Sequence, residues 1–263
     1  MMGSMLVGAM NFPGRSVAKE IHRIAEDGFD FVDLTLEPPA AWLPDGKEVG
    51  RLLGDLGLGA VGHTPYYLPI ASTFPELRTA ARALFRCALD VFADAGVDKV
   101  NVHPDLRLPL HNPEQVRRLN VDALAELAQD AAARGITLMV ENMDRLFARV
   151  EDFVDLFVKV PELAFHLDVG HANLRLGLGE QNHTEELLKA FSDRLVHVHV
   201  SDNPGGAEDR HLPLGAGHVD LKRAARLLKE HGYDGTVTLE VFSREREYLR
   251  VSRQLWLKWW ADA

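Results

Sequence analysis

Apolar positions along this chain alternate between two spacings, short β-branched runs and longer stretches with an apolar residue every third or fourth place. Met5–Met10 predicts a strand, and Val17–Gly28 carries Val17, Ile21, Ile24 and Ala25 on one helical stripe before a glycine stop. Phe31–Leu36 predicts the next strand, Lys47–Gly57 a helix, Leu58–His63 a strand, and Pro75–Gly96 a long helix with Leu77, Ala81, Leu84, Ala88 and Ala95 read as its buried face. Strand Lys99–His103 and helix Pro113–Gly135 follow, the helix opening on the cap-plus-first-turn signal Asn112-Pro113. The remaining pairs are strand Ile136–Glu141 with helix Val150–Val160, strand Leu163–Asp168 with helix His183–Asp193 (Thr184 as its N-cap), strand Leu195–Ser201 with helix Val219–Gly232, and strand Thr236–Phe242 with helix Arg244–Trp260.

Eight strand–helix units in 263 residues predict an α/β fold of the (β/α)8 TIM barrel type. No linker, low-complexity tract or charge block divides the chain, so residues 1–263 are read as a single barrel domain. An open doubly wound sheet would need a glycine-rich phosphate turn after its first strand, and Ala9-Met10-Asn11-Phe12-Pro13-Gly14 is not one. In the last helix Leu255, Trp256, Trp259 and Trp260 are read as closing the barrel by packing, in preference to an interface cluster.

Composition adds boundaries. Apolar residues make up 46% and charged residues 26%, as in globular domains, and no apolar run reaches the about 18 residues of a membrane span. The start, Met1-Met2-Gly3-Ser4-Met5, lacks a signal-peptide plan and reads as a start-site remnant. A single cysteine, Cys87, excludes an internal disulfide, suits a reducing cytoplasm, and is expected to be a small buried apolar residue of its helix. A net charge of −10 argues mildly against a general nucleic-acid binder, though bound metal ions can reverse the sign locally.

The twelve histidines are more informative by position than by number. In a (β/α)8 barrel, active-site groups stand at the carboxyl ends of the strands. Here those ends carry His63, His103, Glu141, Asp168 (with His171 three residues on), His199 and Glu240, and the loop after the seventh strand carries Asp209 and His211. A lone strand-end histidine is more often a hydrogen-bonded structural residue than a ligand, and Glu141 alone is as easily a barrel-mouth salt bridge. Nine on six consecutive units point instead to a divalent-metal site. Strand alternation places His166, His197, Asn101 and Thr238 on the same inward face, one layer below, where polar groups orient ligands. His22, His111, His183, His218 and His231 are read as surface residues, and the glycines Gly215 and Gly217 as a tight turn in preference to a phosphate nest.

With these residues in view the chain resembles the xylose isomerase-like TIM barrel superfamily, the group that holds sugar phosphate isomerases/epimerases and the AP endonuclease family 2 enzymes of the endonuclease IV type. The likeness runs the length of the chain. It is carried by His63-Thr64-Pro65-Tyr66, Val102-His103-Pro104, Val140-Glu141-Asn142, Leu167-Asp168-Val169-Gly170-His171-Ala172-Asn173, His199-Val200-Ser201-Asp202, Asp209-Arg210-His211 with Gly215 and Gly217, and Leu239-Glu240-Val241.

The resemblance implies one of two activities. The isomerase/epimerase branch implies one divalent ion, typically manganese, on Glu141, Asp168, His199 and Glu240. The two glutamates would then shuttle a proton on a small sugar, sugar phosphate or related keto-polyol through a metal-stabilised enediolate. The endonuclease IV branch implies up to three zinc ions on all nine residues, and a phosphodiesterase acting on abasic DNA or another phosphoester, the one reading that makes nucleic acid a partner. Asn142-Met143-Asp144-Arg145, Pro104-Asp105 and Leu36-Glu37-Pro38-Pro39 depart from the endonuclease pattern, which favours the isomerase/epimerase reading. Arg145, Arg175, Arg210 and Arg244 are candidate phosphate-gripping groups on loops that the pattern does not place.

Overall fold

The computed structural model describes residues 5–175 and 181–263; residues 1–4, read above as part of a start-site remnant, lie outside them. Eight parallel strands form a closed barrel in chain order, β1 (Leu6–Met10), β2 (Phe31–Thr35), β3 (Gly59–His63), β4 (Lys99–Val102), β5 (Thr137–Glu141), β6 (Ala164–Asp168), β7 (Leu195–Val200) and β8 (Thr236–Leu239). The helices α1 (Val17–Glu26), α2 (Gly46–Leu56), α3 (Pro75–Asp94), α4 (Pro113–Ala132), α5 (Val150–Lys159), α6 (Thr184–Phe191), α7 (Leu221–Glu230) and α8 (Arg246–Ala261) follow the strands in turn. This is the TIM barrel that the alternation predicts, with boundaries within a few residues of those read from the pattern. Among the described residues no helix is long and apolar enough to cross a membrane.

The chain packs as two compact units, one of Met1–Ala9, Asn142–Val150 and Phe165–Ala263, the other of Met10–Glu141 and Glu151–Ala164. In the first unit the registers Asp168↔His199 and His199↔Thr238 put the inward residues of β6, β7 and β8 side by side. Phe165, Leu167, Val198, Val237 and Leu239, of the opposite parity, are fully buried on the other face. Trp256 is also fully buried, and its indole N–H points at Met5 Sδ at 3.2 Å, so it serves packing. In the second unit Asn112 closes a capping box with Gln115 at the start of α4, as the Asn-Pro signal predicts.

Several local readings are corrected. The buried face of α3 is Ala81, Phe85, Ala88, Leu89 and Phe92, while Leu77 and Leu84 are 47% and 42% exposed; the larger aromatic rings claim the inner stripe. Cys87 is exposed on that helix. His183 is buried rather than at the surface. Thr184 is the first residue of α6 and not its cap; the oxygen that receives its N–H is Asn182 Oδ1, at 3.0 Å.

The glycine pair Gly215 and Gly217 does form an anion-binding nest, and the chain fills it itself. Asp202 Oδ2 accepts the N–H groups of Gly215 and Gly217 at 2.9 Å each, and Asp202 Oδ1 accepts those of Asn203 and Val219 at 2.9 and 3.0 Å. A Cβ on Gly217 would stand 2.4 Å from Asp202 Oδ1, so the approach requires glycine. An antiparallel bridge between Asp202 and Leu212 pins both ends of the intervening loop, and that loop delivers Asp209 and His211. Asp202→Ala strands four backbone donors and is expected to cost about 2–4 kcal/mol of stability in urea unfolding; a loss under about 0.5 kcal/mol would show that the clasp does not hold the loop.

Candidate metal centre

In the unit built on β2 to β5, the three predicted residues His63, His103 and Glu141 come together, each able to offer a ligand atom within 4.8 Å of the others. Glu141 is fully buried; its Oε2 receives Asn101 Nδ2 and lies 3.0 Å from His103 Nε2. The inward layer therefore does support the strand end, as alternation on β4 requires. The His63 and His103 rings stack with centroids 4.9 Å apart. Behind His63 lies Asp33, 3.6 Å from its Nδ1. The sequence reading missed Asp33, although an aspartate interrupting the apolar run Phe31-Val32-Asp33-Leu34-Thr35 is a signal, because buried carboxylates need a partner.

Two loop residues of this unit shape its rim. Asp105 is buried and its backbone is clamped by Asn120, which accepts from its N–H at 2.7 Å and donates to its carbonyl at 3.0 Å. Burial raises the carboxyl pKa of Glu37 above its ordinary value, against the opposing pull of His63, a backbone hydrogen bond and His103.

In the unit built on β1 and β6 to β8, the other six predicted residues form one connected network. His171 Nδ1 donates to the carbonyl of Asn142 at 2.9 Å, which leaves His171 Nε2 facing Asp209 Oδ2 at 2.9 Å. The backbone N–H of His171 donates to Asp168 Oδ1 at 2.6 Å. His199 Nδ1 lies 3.0 Å from Glu240 Oε2 and 3.9 Å from Asp168 Oδ2. His211 Nε2 sits 3.2 Å from both Asp209 Oδ2 and Glu240 Oε2. One layer down, His197 is held between the hydroxyls of Thr236 at 2.7 Å and Thr238 at 3.1 Å, so it orients its neighbours and does not reach the mouth. Asn142, singled out only as part of a motif, brackets the backbone of Asp168 with both amide atoms, at 2.8 and 2.9 Å.

His211 is held in an uncommon way. Its φ of +43° lies in the left-handed region, its ring stacks on Phe242 at 4.4 Å, and its carbonyl accepts the Phe242 N–H at 3.0 Å. Burial works to lower its pKa, but the charges of Glu240, Asp209 and Asp168 prevail and push it up to about 9. Burial likewise opposes ionisation of Glu240, yet His211 and His199 hold its carboxyl well below the usual carboxylate range.

These contacts test whether the residues suit a metal ion. Glu240 is 6% exposed, and among the described residues its side chain meets two imidazoles and no lysine or arginine. The His171 Nδ1 proton is committed to a carbonyl, so its other nitrogen can face Asp209 favourably only with a second proton or a cation at hand. Buried carboxylates compensated by imidazoles, with oxygen and nitrogen donors and no thiolate, are the donor set of zinc or manganese. The fit is good.

Fold and site together define a (β/α)8 barrel protein with imidazole and carboxylate groups gathered at its strand ends. Residues 21–259 match the xylose isomerase-like TIM barrel family, and the chain belongs to that family. An L-ribulose 3-epimerase of Methylomonas sp. is 28% identical over 277 residues, covering 99% of this chain and 91% of the relative. A probable endonuclease 4 of Aquifex aeolicus is 26% identical, covering 86% of this chain and 87% of the relative. A D-tagatose 3-epimerase-like protein superposes with a TM-score of 0.84 at 24% identity, covering 98% of both chains, and at that identity the likeness is one of fold.

Proposed function

We propose that this chain, acting as a single catalytic domain, is a divalent-metal-dependent isomerase or epimerase of a small sugar, sugar phosphate or related keto-polyol. The observation that carries the reading is the environment of Glu240, a buried carboxylate kept ionised by His199 and His211. Such a group is ionised, and so able to ligate a metal ion and to accept a proton. Relationship to an L-ribulose 3-epimerase along nearly the whole chain supports the same class.

Glu141, Asp168, His199 and Glu240 would hold one manganese or zinc ion. When bound, that ion would supply Lewis acidity to the substrate's carbonyl. Glu141 and Glu240 act as the acid/base pair. Removal of the proton beside the carbonyl by one carboxylate gives an enediolate. Return of a proton to the opposite face of the same carbon inverts it, and return to the former carbonyl carbon moves the carbonyl. Asn101 orients Glu141, and His211 with His199 keeps Glu240 charged.

A second reading is supported by a specific observation: His63, His103 and Glu141 form one trio of potential ligands, and His171, Asp209 and His211 another. Together with the relationship to a probable endonuclease 4, this suits a multinuclear-zinc phosphodiesterase acting on abasic DNA or another phosphoester. Incubation with a panel of ketoses and ketose phosphates in deuterated water separates the two. Deuterium is expected at the carbon beside the carbonyl. Nicking of abasic DNA without any such exchange would establish the phosphodiesterase in its place.

A further inference from the structure

The loops after β5 and β6 border a half-open cavity of about 230 Å³ lined by Asp144, Arg145, Ala148, Arg149, Leu174, Arg175 and His183. The loops that bear it are those of the candidate site. Arg145 follows three residues after Asn142, the bracket of Asp168, and Arg175 follows four residues after His171. The Arg175 N–H donates to the carbonyl of Gly206 at 2.8 Å, which ties this wall to the loop bearing Asp209 and His211.

The lining carries three arginines, Arg145, Arg149 and Arg175, and one carboxylate, Asp144, which pairs with Arg145 at 3.3 Å. Arg175 has no ion-pair partner among the described residues, and it holds a φ of +66°, a conformation that costs a non-glycine residue energy. His183 is 7% exposed, and among the described residues its Nδ1 makes no hydrogen bond; an oxygen of the exposed Glu186 lies 3.5 Å away. Arg149 and His183 each immediately precede a helix, α5 and α6, whose first-turn N–H groups add partial positive charge beside the first-turn carboxylates Glu151, Asp152, Glu185 and Glu186. Planar guanidinium donors and a buried imidazole suit an oxyanion such as phosphate.

We propose that this cavity is an anion subsite that seats the phosphate group of a phosphorylated substrate. What lies at the other end of that substrate rests on the isomerase/epimerase reading above; the subsite itself does not. Arg175 donates without breaking an existing ion pair, and Arg145 exchanges its contact with Asp144 for the phosphate. A polyanionic strand of nucleic acid is disfavoured, because the lining is one small cavity on a protein of net charge −10 and not an extended basic track.

The test is calorimetric titration of the full chain with inorganic phosphate, before and after chelator treatment and dialysis, so that phosphate held by metal is separated from phosphate held by arginine. Binding that survives chelation is expected. Arg175→Gln and Arg145→Gln are each expected to weaken it roughly 10- to 100-fold. Arg175→Lys should restore part of the loss, and sulfate but not acetate should compete. Melting curves check that the variants stay folded. With a turned-over ketose phosphate, Arg175→Gln should raise KM far more than it lowers kcat. Absence of phosphate binding after chelation, indifference to both glutamine variants, or equal competition by acetate overturns the proposal. So does displacement by abasic duplex DNA at lower concentration than phosphate. Arginine-dependent phosphate binding without isotope exchange on any ketose would leave the subsite standing and sink the isomerase reading instead.

Discussion

Glu240→Gln is expected to lower kcat by at least about a thousandfold while leaving the fold intact. The carboxylate lies between His199 at 3.0 Å and His211 at 3.2 Å, and these two imidazoles hold it ionised in spite of its burial. Glutamine keeps the volume and removes the charge. It deletes the proposed base, halves the oxygen donors open to a metal and presents an NH2 group where the imidazoles expect an acceptor. Isotope exchange into substrate should fall in parallel with turnover, because proton abstraction is the step removed. A variant that keeps exchange within about tenfold of wild type would take Glu240 out of the chemistry. The circular dichroism melt keeps that conclusion separate from misfolding.

Exhaustive chelation is expected to bring turnover down to about the uncatalysed level, and re-addition of manganese or zinc to restore it with a stoichiometry of about one ion per chain. Asp209 and His211 decide how this titration is read. If they are loop-anchoring partners of His171 and Glu240, His211→Gln leaves the one-ion stoichiometry in place and reduces only the rate. If they are ligands, wild-type protein carries about three zinc ions and the variant fewer. Elemental analysis returning about three zinc or iron ions on the wild type would overturn the one-ion isomerase.

The barrel was legible in the pattern because each strand–helix unit obeys local rules. Period-two runs bounded by glycine or proline and 3.6-period stripes closed by a stop signal are properties of ten to twenty consecutive residues. Alternation was legible for the same reason: Asp168 inward forces His166 inward, and His199 forces His197. The α3 face was misread because apolar residues there cover more than one stripe, and only packing chooses Phe85 and Phe92 over Leu77 and Leu84. Cys87 was assigned by residue type, and it lies on the outer side of that same helix.

The loops were the opposite case. The four N–H groups on Asp202 come from residues as far away as Val219, and the clamp of Asn142 on Asp168 joins residues 26 apart. Arg145 and Arg149 belong to the loop after β5, and Arg175 and His183 to the stretch after β6, two segments that no periodicity relates. The sequence by itself determined which residues stand at the strand ends and which way they face, because backbone geometry makes those local consequences. Only the tertiary structure decided that the Gly215–Gly217 nest is occupied by Asp202, that His183 is buried and that three arginines share one cavity. Those outcomes depend on where loops travel between fixed ends, and contacts between residues distant in sequence set that path.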